Sequence, residues 1–334
     1  MSDKISRREF VQGSLLASAG GALAVNTVAN PALAQNQDNK PASPKVEPDS
    51  KGTLPKGKIG KLEVSRLILG GNLLTHYTHS RDLRYVYDLT KHYNTQQKIM
   101  ETMALAESYG IDTLSIHTPP GAIDTIKKYR KEWGGKMKFI VTPLPAKVEP
   151  DMKAYSEQVK QLVDDGMDAI FFTGVYADGL AAKGQMDLVA KAVECAREMG
   201  VPSGISAHDL TVVKQCELNK INVDFYIKTF HHHKYPTGPK PEQIKEKGPH
   251  AEIPGYWCSN PEETIEVMKT VEKPWIAFKI MAAGAIPPKD AFPYVLGNGA
   301  DHLLVGMFDF EIEEDVRIFK SAMASTKRTR PWRS

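Results

Sequence analysis

Eight short apolar segments that alternate with longer amphipathic segments constrain the fold of this chain most strongly. The apolar runs have the length of buried β-strands and cover residues 67–71, 111–117, 138–143, 169–173, 202–207, 224–230, 275–281 and 302–306. The amphipathic segments carry apolar residues at helical spacing, and several stop at a glycine. These predicted helices cover residues 96–109, 122–133, 152–165, 186–199, 211–219, 261–271, 289–296 and 313–324.

The alternation predicts parallel pairing of the strands, because each intervening helix returns the chain to the same edge of the sheet. Eight such units favour closure into a (β/α)8 barrel, the TIM-barrel class of α/β fold, and residues 59–326 have the length of one such barrel. An open doubly wound sheet is the alternative. The Gly-x-Gly-x-x-Gly phosphate turn of that fold does not follow the first strand, which favours the barrel.

The first 34 residues have the composition of an export signal. The pair Arg7-Arg8 precedes a modestly apolar run over residues 13–25, and Ala32-Leu33-Ala34 offers a cleavage site with small residues. The pattern predicts a twin-arginine signal peptide, with the twin-arginine translocation machinery as a partner and a periplasmic or extracellular location. The apolar run is too short and too rich in small residues for a stable membrane anchor.

Two further segments have little apolar character. Residues 35–58 are rich in Pro, Asn, Lys, Asp and Ser and are predicted to form a disordered tether. Residues 327–334 form a short basic tail that we expect to be solvated. The formal net charge is +3 without a dense basic stripe, which argues against nucleic acid as a partner. Of the three cysteines, Cys258 lies in a polar segment and is the one that could react, with a purely structural role as the favoured alternative.

The segment that leads into the first barrel strand resembles a known family. It reads Gly57-Lys58-Ile59-Gly60-Lys61-Leu62-Glu63-Val64-Ser65-Arg66-Leu67-Ile68-Leu69-Gly70-Gly71-Asn72. Aldo-keto reductases similarly open with a short hairpin and a Val-Ser-Arg-Leu-x-Leu-Gly strand, and Tyr109-Gly110-Ile111 is similar to the end of their first helix.

The resemblance implies an aldo-keto-reductase-like barrel, an NAD(P) cofactor and a catalytic Tyr accompanied by Asp, Lys and His. By strand position, the Asp, Lys and His would fall near Ser115, Thr142 and Thr173, where those residue types are absent. No tyrosine stands at the matching distance after the second strand. The resemblance therefore implies the fold together with an atypical active site.

Glycines near the last two strands resemble the phosphate-binding half of many barrels. Gly284 and Gly306 follow the seventh and eighth strands, where backbone N–H groups present themselves to a phosphate. The resemblance predicts cofactor binding at these two positions, to NAD(P), to flavin mononucleotide (FMN) or to a substrate phosphate. The alternative is that both glycines serve only turns and packing.

Histidines cluster at the carboxyl ends of the predicted strands, which is where barrel enzymes place their chemistry. A divalent metal needs three or four converging N or O ligands. The candidate ligands are His117, His208, Asp209, His231, His232 and His233. Side-chain alternation should send His231 and His233 to one side and His232 to the other. Without a metal, the catalytic candidates are His117, His208 and Lys279, because imidazole and a buried amine both move protons.

Four residues in the predicted loops are candidates for substrate binding. Asn72 and His76 follow the first strand, Arg81 lies in a lid-type loop over residues 76–87, and Trp257 follows the sixth strand. Arg81 has the chemistry to hold a carboxylate or phosphate, and Trp257 would either stack on a sugar face or cap the core.

Three functions are compatible with the sequence. The first is an exported enzyme that acts on a small polyhydroxy or keto compound by metal-assisted or His/Lys-assisted proton transfer, as an isomerase, epimerase or lyase. The second is an NAD(P)-linked, aldo-keto-reductase-like oxidoreductase with an atypical site. The third is a non-catalytic periplasmic protein that binds a small ligand.

Overall fold

The eight predicted strands are present and close into a parallel barrel. The structure, a computed structural model, describes residues 45–247, 252–253 and 255–334. An antiparallel hairpin of β1 (Lys56–Ile59) and β2 (Leu62–Ser65) precedes the barrel. The barrel strands are β3 (Leu67–Gly70), β4 (Thr113–His117), β5 (Lys138–Thr142), β6 (Ala169–Phe172), β7 (Ser203–Ala207), β8 (Phe225–Thr229), β9 (Trp275–Phe278) and β10 (His302–Val305). Each strand pairs with its neighbour in the sequence, and β10 pairs with β3.

Helices surround the barrel and return the chain from one strand to the next. Their bounds are α1 (Tyr85–Tyr93), α2 (Gln96–Ser108), α3 (Ala122–Trp133), α4 (Lys153–Asp164), α5 (Gly174–Ala182), α6 (Met186–Glu198), α7 (Leu210–Leu218), α8 (Pro241–Lys247), α9 (Pro261–Thr270), α10 (Pro288–Gly297) and α11 (Asp309–Ser325). Helices α1, α5 and α8 are not among the predicted helices. Within the described residues, no helix has both the length and the apolar character needed to cross a membrane.

Side-chain alternation along the strands divides the core into two parts. Ile68, Ile140, Phe225 and Ile276 pack together inside the barrel with hairpin residues such as Val64, so the hairpin covers the amino-terminal end. Their neighbours along each strand point outward into a larger cluster with the helices. This packing fills the barrel at one end and leaves its opposite end for polar residues.

The predicted disordered tether is wrong for its second half. Val46 is buried and its N–H bonds to the carbonyl of Trp133, while Leu54 is buried and β1 starts at Lys56. Val46 and Leu54 belong to the large apolar cluster that the outward-facing strand residues form with the helices. Residues 35–44 of the tether and the predicted signal peptide, 1–34, lie outside the described residues.

The predicted solvated tail is also wrong, because residues 327–334 pack beneath the barrel. The Arg330 side chain is fully buried, and its Nη1 lies 2.6 Å from Oδ2 of the buried Asp301. The same guanidinium donates to the carbonyl groups of Val271 and Lys273. A buried charge is tolerated only when it is paired and hydrogen-bonded, and the tail meets that condition.

Candidate active site at the barrel mouth

A cavity of about 570 Å³ opens at the carboxyl ends of the barrel strands. That volume is typical of small-molecule sites. Phe171, Ile227 and Phe278 form apolar walls, and hydroxyl groups from four neighbouring strands line the cavity between them. The hydroxyl-bearing residues are Ser115, Thr142, Thr173 and Ser206. Seven predicted site residues line the same cavity, namely Asn72, His117, His208, Trp257, Lys279, Gly284 and Gly306.

His208 forms a buried pair with Asp178. The ring Nδ1 of His208 lies 2.9 Å from Oδ2 of Asp178, and the carboxylate also accepts the backbone N–H groups of His208 and Asp209. Burial raises the pKa of Asp178 to about 7, although these two backbone hydrogen bonds lower it. A carboxylate on Nδ1 fixes the tautomer in which Nε2 accepts a proton, so the pair has the arrangement of a general base with its orienting acid.

The close approach of helix α5 to strand β7 creates this pair. Gly174, the first residue of α5, donates its N–H to Oγ of Ser206 at 2.6 Å. A Cβ at position 174 would lie 2.9 Å from that Oγ and 3.1 Å from Nδ1 of His208. Only glycine therefore leaves room for α5 to bring Asp178 against the imidazole.

Lys279 follows strand β9 and lies at the cavity wall. The sequence prediction that it stands inside the seventh strand is wrong, since β9 ends at Phe278 and Lys279 has a φ of 56°. Its Nζ is buried, has no hydrogen-bond partner among the described residues, and lies 4.8 Å from the centre of the Trp257 ring. Burial lowers the pKa of Lys279 to about 7, so a neutral amine is abundant at neutral pH.

His117 lies at the end of strand β4 and is neutral at physiological pH. Its Nε2 is 3.2 Å from Oγ1 of Thr75, and the ring of Tyr77 packs edge-on against it at 4.5 Å. Burial lowers the pKa of His117 to about 4. Because His117 lines the cavity, this neutral imidazole can form a hydrogen bond with a ligand without adding a charge to the site.

The consecutive histidines after strand β8 hold the loop that carries Trp257. Nε2 of His231 accepts the Trp257 N–H at 3.0 Å, while its Nδ1 donates to the carbonyl of His232. His233 donates to the carbonyl of Cys258. The ring of His232 instead packs on Tyr294 at 5.0 Å, so the expected division of the three side chains between two sides is present.

The structure does not support the predicted metal centre. Both nitrogens of His231 are engaged, and Asp209 caps helix α7 by accepting the Thr211 N–H at 2.8 Å. His117 and His208 stand on strands β4 and β7, which two other strands separate. Across residues 45–247, 252–253 and 255–334, no three His, Cys, Asp or Glu side chains are grouped so that they could hold a metal ion.

Two predicted substrate-binding residues lie away from the barrel mouth. His76 borders a second, smaller cavity and its Nε2 bonds to the carbonyl of Asn94. Arg81 bonds to Thr237 and packs against Gly255, outside the lining of the main cavity. Cys258, the cysteine that could react, is fully buried. Burial removes it from any reagent in solvent.

The predicted phosphate site is only half formed. Ala282, Ala283 and Gly284 have φ values of 46°, 53° and 79°, a left-handed run in which Ala282 donates its N–H to the carbonyl of Lys279, which leaves the N–H groups of the next two residues for an anion. After strand β10, however, Oε2 of Glu311 accepts the N–H of Phe308 at 2.8 Å and the side chain lines the cavity beside Gly306. Glu311 thus takes up an N–H group at this helix start that a phosphate would otherwise bind, and burial raises the pKa of its carboxyl group.

Several residues of the site were missed from the sequence. Asp178 lies on the unpredicted helix α5, and the only available signal was an acidic residue shortly after a strand end. Tyr77 and Glu311 line the cavity from an irregular segment and a helix start. Proximity in such segments depends on tertiary structure, which no local pattern reports.

Comparison with known proteins identifies the fold. No protein-family model matches the chain, and no curated protein is significantly similar to it. An aldo-keto reductase from Bacillus halodurans, solved in its holo form, has a TM-score of 0.54 at 13% identity and covers 83% of this chain and 92% of that chain. A Pseudomonas aeruginosa protein assigned to the aldo-keto reductases has a TM-score of 0.52 at 16% identity, with 81% of this chain and 98% of that chain covered.

These neighbours confirm the predicted barrel and its likeness to aldo-keto reductases in fold. Ser115, Thr142 and Thr173 do line the cavity, at the strand positions where the resemblance implies Asp, Lys and His. The shared scaffold thus carries a different set of side chains at its mouth.

Proposed function

We propose that this protein is an enzyme that moves a proton on a small polyhydroxy or keto compound, giving isomerisation, epimerisation or elimination. The observation that carries the proposal is the presence of the His208–Asp178 pair and the unpartnered amine of Lys279 in one cavity. Titratable groups with displaced pKa values in a cleft are typical of active sites. The described residues at the mouth form no metal centre, and no step is assigned to a metal or to a nucleotide.

The arrangement of polar and apolar groups supports this substrate class. Hydroxyl side chains on β4 to β7 match the hydroxyl groups of a polyhydroxy compound, and the apolar walls match its carbon faces. His208 takes the proton next to the substrate carbonyl, and Asp178 stabilises the imidazolium that forms. His117, neutral at pH 7, donates its Nε2–H to Thr75, whose hydroxyl group donates to the carbonyl of Gly71, so its Nδ1 accepts a hydrogen bond from a substrate hydroxyl group.

The proposal is tested by deuterium incorporation from D₂O into a panel of small ketoses and aldoses, followed by ¹H NMR. We expect exchange at the carbon beside the carbonyl, and a loss of about 100-fold or more in His208→Asn, since general-base catalysis contributes that much. The matched control is His92→Asn, because His92 is exposed on helix α1. Equal rates in wild type and His208→Asn would contradict the proposal.

A second candidate is an NAD(P)-linked oxidoreductase, and the specific observation in its favour is the aldo-keto reductase fold, which one neighbour shows in a holo form. The fold neighbours favour this candidate, whereas the side chains at the mouth favour proton transfer. Oxidation of NADH or NADPH by the same panel, without exchange in their absence, would support it. A protein that binds panel compounds but catalyses neither reaction would be a ligand-binding protein.

We also propose that residues 1–34 direct export by the twin-arginine route. The support is the sequence pattern alone, with Arg7-Arg8 ahead of an apolar run and a small-residue cleavage site. On this proposal, the reaction takes place in the periplasm or outside the cell.

A further inference from the structure

We infer that Lys279 is a nucleophile that forms an imine with the carbonyl carbon of the substrate. The inference rests on the proposed function and deepens it, because it restricts the substrate to compounds with a ketone or aldehyde group. It also gives Lys279 a covalent role that a general acid or base would not have.

The surroundings of Nζ separate Lys279 from the other buried lysine of the barrel. Lys228 is fully buried, and its Nζ donates to the carbonyl and to Oγ1 of Thr229 at 2.9 and 3.0 Å. The Nζ of Lys279 is also buried but has no such partner among the described residues, and it lies over the face of Trp257. An amine whose lone pair is not tied to a neighbour is the form that attacks a carbonyl.

Lys279 lines the same cavity as the two histidines to which the proposed function gives roles. These histidines are His117 and His208, and Lys279 itself follows β9 directly. Rotation about its long side chain moves Nζ from the indole of Trp257 towards a ligand in that cavity. Burial also lowers the pKa of Lys279, which supplies neutral amine without a neighbouring base.

The covalent step balances without an oxidant or reductant. The Nζ lone pair attacks the carbonyl carbon, the carbonyl oxygen takes a proton, and the nitrogen loses one, which gives a carbinolamine. The hydroxyl group then leaves as water with a second proton, and a protonated imine remains. Its positive charge acidifies the neighbouring C–H, so His208 removes that proton and forms an enamine. Reprotonation and addition of water return the product and the free amine.

The test uses 2,4-pentanedione, a small diketone that converts a nucleophilic amine into an enaminone absorbing in the near ultraviolet. At pH 7 we expect one enaminone per chain, mapped to Lys279 by mass spectrometry and formed at least tenfold faster than at any exposed lysine. Lys279→Arg should lose this adduct, and the control Lys289→Arg, which changes an exposed lysine, should keep it. Lys228 should remain unlabelled.

Two results would overturn the inference. One is labelling of Lys279 no faster than labelling of exposed lysines such as Lys289. The other is undiminished deuterium exchange in a folded Lys279→Arg enzyme, which would leave proton transfer by His208 standing and remove the imine. Failure of wild type to exchange any panel compound, with Lys279 still labelled selectively, would instead contradict the proposed function.

Discussion

Replacement of Lys279 by methionine should stabilise the protein at neutral pH while it abolishes the amine chemistry. Methionine has a similar length and no charge to bury. The pKa of Lys279 falls from 10.5 to about 7 because burial disfavours the ammonium. The unfolded chain therefore binds this proton more tightly than the folded chain between pH 7 and 10.5, and the stability of the wild type rises with pH across that window.

The size of the effect follows from the same two values. The fall from 10.5 to about 7 corresponds to about 5 kcal/mol at about 1.36 kcal/mol per pKa unit, and it costs the wild type about 4 kcal/mol at pH 7, where about half of the folded molecules keep the proton. At pH 10 the solution is close to the pKa of 10.5 of the unfolded lysine, so removal of its proton requires little free energy. The cost of burying Lys279 therefore shrinks to about 1 kcal/mol. Loss of the ammonium contact with Trp257 offsets about 1 kcal/mol at pH 7 but nothing at pH 10, where the folded amine is neutral. Lys279→Met should therefore be more stable than wild type by about 3 kcal/mol at pH 7 and by about 1 kcal/mol at pH 10.

Urea unfolding of both proteins at pH 7 and pH 10 measures these differences. Lys289→Met serves as the control, because Lys289 is exposed and its replacement should change stability little at either pH. Two results would contradict the lowered pKa of Lys279. One is a Lys279→Met protein that is no more stable than wild type at pH 7, and the other is a difference in the free energy of unfolding that does not diminish towards pH 10.

Three further results are expected. The rate of deuterium exchange should rise between pH 6 and 8 and then level off, because Lys279 and Asp178 both have a pKa of about 7 and act in their deprotonated forms. An exchange rate that falls over this range would contradict the roles given to these two residues. Arg330→Met should lower the free energy of unfolding by about 2–3 kcal/mol in urea titrations, since it removes the closer of the two guanidinium partners of the buried Asp301 and leaves only Arg328 at 3.4 Å, and a change below about 1 kcal/mol would be inconsistent with that role. Replacement of Arg7 and Arg8 by lysine should keep the protein in the cytoplasm on cell fractionation, and normal export would exclude the twin-arginine route.

The barrel was predictable because it depends on local patterns. Strand β7 was expected over residues 202–207 and is found at Ser203–Ala207, and β8 was expected over 224–230 and is found at Phe225–Thr229. Strands of a parallel barrel are buried on both faces, so each of them appears in the sequence as a short continuous apolar run. Such a run can be recognised without knowing which strands pair with it. A glycine that follows a helix is likewise a local signal, because it adopts the left-handed conformation that ends the helix.

The site was predictable only in part. His117, His208 and Lys279 lie at strand ends, and a closed barrel brings all strand ends to one mouth. Asp178 was missed because its helix has almost no amphipathic pattern and its role depends on the small size of Gly174.

The metal ligands were wrongly predicted for a related reason. Sequence position shows that His231 follows a strand, but not that its nitrogens bond to the backbone at His232 and Trp257. Arg330 shows the same limit at the other end of the barrel. A basic tail is expected to be solvated from its sequence alone. In the fold, however, Arg330 pairs with Asp301, which lies 29 residues earlier in the chain.

The most direct test of proton transfer by the chain's own residues is the exchange assay on extensively dialysed wild-type protein, with and without added NAD(P)⁺. We expect deuterium incorporation into at least one polyhydroxy ketone at the same rate in both samples. Exchange that appears only after NAD(P)⁺ is added would contradict it, because the proton would then move through transient oxidation and not through His208 and Lys279.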